Sequence, residues 1–181
     1  HISSMDDPSF RSVYADILGK YNDREGIVID TRFNGGGRLH EDIEILFSGK
    51  KYFTQVVRGR EACDMPSRRW NKPSIMVTCE ANYSNAHGTP WVYQHQGIGK
   101  VVGMPVPGTM TSVSWETLQD PTLYFGIPIV GYRLPDGSYL ENKQLEPDVK
   151  IANSPEKIIK GEDEQLKTAV KELLKEIDSK K

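Results

Sequence analysis

The sequence has no apolar run approaching the roughly 20 residues that a membrane helix requires, which excludes a helical membrane span from this stretch. Cysteine is scarce. Cys63 and Cys79 form no close-spaced metal pattern and assign no redox compartment. An excess of charge of either sign is also missing, since 23 Lys and Arg stand against 25 Asp and Glu for a net of −2. Without a basic stripe, nucleic acid and anionic membrane are poor partners. The one basic cluster, Arg58, Arg60, Arg68 and Arg69 around Trp70, reads as part of a solvated loop. No charged n-region is followed by an apolar stretch, so no signal peptide is visible, and no internal repeat occurs. The chain starts at His1 rather than Met, and the expectation is a piece excised from a longer protein.

What is present suits one domain, since 181 residues suffice for a core without metal or disulfide staples. Residues 1–7 read as a linker or the end of a preceding strand. Asp7-Pro8, followed by Phe10, Val13, Tyr14, Ile17 and Leu18, predicts a helix with Asp7 at its cap. Gly26 to Asp30 reads as a buried strand, and Leu39, Ile43 and Leu46 as a second helix stopped by Gly49. Tyr52 to Arg58 predicts a strand, Gly59 to Lys72 a surface loop, Ile75 to Cys79 a buried strand and Lys100 to Gly103 another. Between Ile75–Cys79 and Lys100, a helix reaches about His95. From Thr111 to Asn142 the pattern is β, with strands at Leu123–Phe125 and Pro128–Tyr132 and a hairpin turning at Asp136-Gly137. Leu166, Ala169, Val170, Leu173, Leu174 and Ile177 predict a C-terminal amphipathic helix ending in a lysine tail. Strands alternating with helices argue for α/β with a mainly parallel sheet.

Three places carry candidate chemistry. A buried strand feeds Asp30-Thr31-Arg32-Phe33-Asn34-Gly35-Gly36-Gly37, where glycines let the backbone turn tightly and aim N–H groups at a ligand beside a helix N-terminus. Such a loop suits a phosphate or a developing oxyanion; it is equally read as a turn that merely needs glycine. The phosphate reading lacks the Lys-Ser or Lys-Thr that should follow. Ser84 lies just past a strand at the start of a helix, as a nucleophile or simply as an N-cap. His87 is one helical turn beyond it and is a candidate base, although a helix stripe rarely aims imidazole at the hydroxyl. Glu141, at a strand end, is either an orienting carboxylate or a rim charge. His40-Glu41 is half of a zinc-peptidase motif without its second histidine, His95 reads as a partly exposed helix residue, and no cluster has metal spacing. No cofactor is implied.

In order along the chain, these pieces resemble a known family. Asp30 to Gly37 is similar to the Asp-x-Arg-x-Asn-x-Gly-Gly signature of C-terminal processing (tail-specific) and tricorn-type serine peptidases. Asn82-Tyr83-Ser84-Asn85-Ala86 resembles their nucleophile turn, and Val101 to Thr109 the Val-Gly-x-x-Thr-x-Gly element. Glu141-Asn142-Lys143-Gln144-Leu145-Glu146-Pro147-Asp148 resembles the late Glu-Asn-x-Gly-Val-x-Pro-Asp segment, so the likeness runs from about Met5 to Leu174.

The resemblance implies a crotonase-like α/β core and a serine endopeptidase acting on a peptide or protein substrate. It implies Ser84 as nucleophile, with the N–H groups of Gly37 (or Gly36) and Asn85 as the oxyanion hole. The processing branch carries a lysine base where this chain has Gly108-Thr109-Met110. In the tricorn branch the base is a histidine from before a PDZ-type insert, assisted by a late glutamate, here Glu141. The implied partners are therefore the histidine-bearing and PDZ-like regions of the same protein, and the piece alone is expected to be inactive. Homo-oligomer formation stays open. The family suggests a bacterial cell envelope, with the cytoplasm as alternative. The same fold also resembles the repeats of interphotoreceptor retinoid-binding protein, so a non-catalytic module for apolar ligands is the rival reading.

Overall fold

The computed structural model describes residues 1–180. Four short strands, β1 (Ile27–Asp30), β4 (Ser74–Thr78), β5 (Val101–Gly103) and β8 (Val149–Lys150), form one parallel sheet in the order β1-β4-β5-β8. Every residue of β4 is buried, as a central strand covered on both faces must be. The pleat divides its side chains. Met76, with Ile29 and Val101, packs against α1 (Asp7–Ala15), α2 (His40–Ser48) and α3 (Asn85–His95), together with Ile43, Leu46, Trp70 and Tyr93. Ile75, Val77 and Val102 face the other way, onto Ala169 and Leu173 of α5 (Glu164–Ser179). A short α4 (Pro155–Ile158) precedes α5. No helix among the described residues is long and apolar enough to cross a membrane.

Two antiparallel hairpins stand apart from this sheet. β2 (Phe53–Val57) pairs with β3 (Arg60–Met65), and β6 (Ser112–Thr117) with β7 (Tyr124–Val130). The mixed α/β class with parallel sheet, hairpins and C-terminal helix is as the sequence implied.

Several local expectations are corrected. The cap of α1 is Asp6, which accepts from the Ser9 N–H at 2.9 Å, one residue earlier than Asp7. Arg60–Met65 of the expected Gly59–Lys72 loop is β3, whose residues are exposed over most of its length and so leave no apolar alternation to read. Trp70 is buried, donating its ring N–H to the Pro73 carbonyl, while Arg69 bonds the Pro66 and Gly49 carbonyls beside it. The main late hairpin turns around Asp120, whose carboxylate accepts from the Thr122 N–H at 2.9 Å. Asp136-Gly137 makes a smaller turn closed by the Leu134 N–H on the Ser138 carbonyl. β7 runs through Pro128 because Pro128 sits beside a bulge on a two-stranded ribbon, where a missing donor is tolerated. Of the lysine tail, Lys180 follows α5 directly; Lys181 lies outside the described residues.

Candidate active site

Strand β1 ends in Asp30, and the signature that follows is held by its own side chains. Arg32 grips the Asp30 carboxylate through two nitrogens, at 2.9 and 2.7 Å, and reaches Asp163 at 2.7 Å and Gln165 at 3.1 Å. This ties the start of the glycine loop to the N-terminus of α5, where Asp163 caps the Leu166 N–H. The hydrogen bond to Asp30 holds the Arg32 guanidinium still more firmly protonated than usual. Asn34 is fully buried: its amide nitrogen donates to the Ile2 carbonyl at 2.9 Å, and its Oδ1 accepts from the Gly36 N–H at 2.8 Å.

The N-terminal residues complete the loop. Met5 donates to the Gly36 carbonyl at 2.9 Å and accepts from the Arg38 N–H at 2.6 Å. A Cβ on Gly37, where φ is +138°, would fall 2.0 Å from the Met5 oxygen, so only glycine fits. On its other side the loop meets the turn after β4. A Cβ on Gly36, at φ +103°, would lie 2.7 Å from the Ser84 Cβ and 3.1 Å from the Asn85 nitrogen. The Tyr83 N–H donates to the Asn34 carbonyl at 3.0 Å, closing the contact.

Ser84 therefore sits directly against the glycine loop, half-buried, at φ 54° and ψ −122°. A positive φ is uncommon for serine, and the side chain makes no capping bond to α3, contrary to the simple N-cap reading. Buried Asn82 braces the turn: its Oδ1 accepts from the Cys79 N–H at 3.2 Å and its nitrogen donates to Thr31 Oγ1 at 3.1 Å. Asn82 also donates to the Ala86 carbonyl at 3.2 Å, the acceptor that Pro90, lacking an N–H, leaves free inside α3.

The late segments close in through Thr109, whose hydroxyl accepts from the Ser84 N–H at 3.2 Å. Two residues on, the Thr111 N–H donates to Glu141 Oε2 at 2.7 Å, and the Asn142 N–H donates to the Gly108 carbonyl. All four sequence elements thus meet in one place. Among the described residues, neither the Gly37 N–H nor the Asn85 N–H donates to a protein group, whereas that of Gly36 is committed to Asn34.

His87 is brought near but enclosed. It is fully buried, neither ring nitrogen has a hydrogen-bond partner, and none reaches Ser84. Burial lowers its basicity, against the weaker opposing influence of the Lys143 backbone and the Glu141 charge. His95 is exposed and stacks on Trp91, away from this chemistry. A cleft of about 320 Å3 between α1 and β1, walled by Ile2, Val13, Ile17 and Ile27, reaches Asp30 but is not lined by Ser84, His87, Glu141 or the glycine loop. Sequence reasoning missed the contacts of Met5 and Thr109 and the buried role of Asn34; the available signals were the positions of Asn34 in the Asp-x-Arg-x-Asn signature and of Thr109 at the end of the Val101–Thr109 element.

With this geometry in view, the comparisons with known proteins are decisive as to family. The sequence matches the model for peptidase family S41 over residues 1–151. The chain belongs to peptidase family S41. Within it, the chain is 26% identical over 185 residues to a protein of Sulfurisphaera tokodaii named as a tricorn-like protease C-terminal subunit, covering 99% of this chain. It is 26% identical to tricorn protease homolog 1 of Streptomyces coelicolor over 94% of this chain, and 25% identical to the tricorn protease of Thermoplasma acidophilum over 84%. The chain spans only 21%, 16% and 14% of the lengths of these three relatives. The crystal structure of the tricorn protease has the same fold over 98% of this chain and 17% of its own, with TM-score 0.82 at 22% identity. The photosystem II D1 C-terminal processing protease shares it over 83% of this chain and 41% of its own, with TM-score 0.61 at 14% identity. This S41 domain is thus similar in sequence and in fold to part of the tricorn-type proteases.

Proposed function

We propose that this domain is the nucleophile-bearing part of a serine endopeptidase that hydrolyses peptide bonds through an acyl-enzyme. The observation that carries the reading is Ser84 at positive φ on a strand-turn-helix, pressed against Gly36, with two uncommitted N–H groups beside it. In this mechanism Ser84 Oγ attacks the scissile carbonyl while its proton passes to a general base. The N–H groups of Gly37 and Asn85 receive the oxyanion, a stabilisation for which each donor typically contributes about 3–4 kcal/mol. The tetrahedral intermediate then expels the amine, which takes the proton from the base, and water hydrolyses the ester by the reverse steps. Gly36 serves instead through its carbonyl and its lack of a side chain, because its N–H is held by Asn34.

Glu141 acts as a late carboxylate, fixed by the Thr111 N–H, that steadies a base supplied from another part of the polypeptide. His87 is a poorer base, being buried and unlinked to Ser84. Substrate peptide and a histidine-bearing region of the same protein are the partners this reading requires.

The test is hydrolysis of casein by the full-length protein and by its Ser84→Ala variant. Activity lost in the variant, with its folding intact, supports the reading; activity that survives rejects it. The isolated 181-residue chain is expected to be nearly inactive, and efficient cleavage by it would make His87 the leading candidate for the base.

A further inference from the structure

Asn85 has a second task besides its backbone N–H. Its side-chain Oδ1 accepts from the Leu39 N–H at 2.8 Å, at the entrance of α2, and lies 3.4 Å from the Thr89 hydroxyl. These contacts fix the orientation of the amide, so Nδ2 points the other way, and there it meets His40 Nδ1 at 2.8 Å. An amide nitrogen only donates, so Nδ1 accepts, and the neutral ring carries its proton on Nε2.

The other side of His40 touches a different part of the molecule. Its ring stands edge-to-face with Tyr132, centroids 6.0 Å apart at 88°. The Tyr132 carbonyl accepts from the Leu140 N–H at 2.9 Å, one residue before Glu141. His40 therefore joins the nucleophile turn to the Glu141 segment across the site.

The need for such a brace follows from the backbone. A non-glycine residue in the conformation of Ser84 is strained and persists only when its surroundings over-determine it. Thr109 constrains the turn from one side through the Ser84 N–H. We infer that His40 is a positioning residue, which constrains the turn from the other side by holding the Asn85 side chain, so that the Asn85 N–H stays aimed at the oxyanion. This rests on the reading of Ser84 as nucleophile.

The test uses a rhodamine fluorophosphonate on the full-length protein. In labelling, Ser84 Oγ bonds to phosphorus, fluoride leaves and the serine proton passes to the base, with the phosphoryl oxygen in the oxyanion hole. His40→Phe keeps the ring against Tyr132 but removes the acceptor, whereas His40→Asn places an acceptor oxygen near the position of Nδ1. The expected result for His40→Phe is a maximal labelling rate reduced about tenfold to a hundredfold, with half-saturating probe concentration unchanged. His40→Asn should label within about threefold of the parent. If His40→Phe does not fold, Asn85→Ala cuts the same link from the other side and should show the same reduction. A parental rate in the acceptor-free variant, or His40→Asn as slow as His40→Phe, overturns the inference while leaving the nucleophile in place. Labelling that persists in Ser84→Ala overturns the nucleophile itself, and this inference with it.

Discussion

At the scale of single residues, the site depends on buried polar groups that are satisfied by one another. Asn34 is the most committed, joining the Ile2 carbonyl to the Gly36 N–H with no exposure. Asn34→Ala leaves both partners buried without bonds, and the expected loss is about 2–3 kcal/mol of stability, measurable by urea unfolding. His87 is the opposite case, a buried imidazole with no partner. Because burial lowers its proton affinity in the folded state, the unfolded chain binds the proton more readily as pH falls below the ordinary value near 6.5. Stability is therefore fully present above that pH and declines below it. His87→Leu, similar in bulk and without polar atoms, should remove this decline and be at least as stable as the parent at pH 5.5 by thermal unfolding. Retained hydrolysis in that variant, in the full-length protein, would also exclude His87 as the base. The glycine loop, Ser84 and Glu141 were legible because each sits in a short ordered pattern. The roles of Met5, Thr109 and His40 were not, since each depends on a contact with a residue distant in sequence.

At the scale of elements, β4 and α5 were readable because their burial imposes a period. β4 is buried throughout around the apolar run Ile75-Met76-Val77, and in α5 the buried Ala169 and Leu173 fall at helical spacing, flanked by the more exposed Leu166 and Val170. Leu173 packs with Ile75, Val77 and Val102 on the sheet face opposite α1. Leu173→Ala should cost about 2–5 kcal/mol, read as a lowered urea midpoint with unchanged slope. Of the hairpin β2–β3, the first strand was read within Tyr52–Arg58 but β3 was not, because a strand exposed over most of its length has no apolar face to mark. The same holds for the turn of β6–β7, where Asp120 organises the chain through bonds to Thr122 that no apolar pattern announces.

At the scale of the whole molecule, three short sequence elements distant in the chain gather at the end of the parallel sheet where β1, β4 and β5 finish, and the fourth, ahead of β8, joins them through the bonds of Glu141 to Thr111 and of Asn142 to Gly108. Acid should unfasten this arrangement. Burial works against the Asp163 carboxylate, but its bonds from Arg32, Leu166 and Asn153 outweigh that and hold its pKa below the ordinary 3.8. The stability it contributes is present above that value and lost as pH falls through the lower folded value. Asp163→Asn should flatten the acid limb of a pH–stability curve measured by thermal unfolding. The central claim, that this S41 domain cuts peptides through Ser84, is tested most directly by mass spectrometry of the full-length protein after reaction with a fluorophosphonate. The account predicts one phosphonyl adduct, on the peptide containing Ser84. An adduct on another residue, or none while the protein still hydrolyses casein, would contradict it.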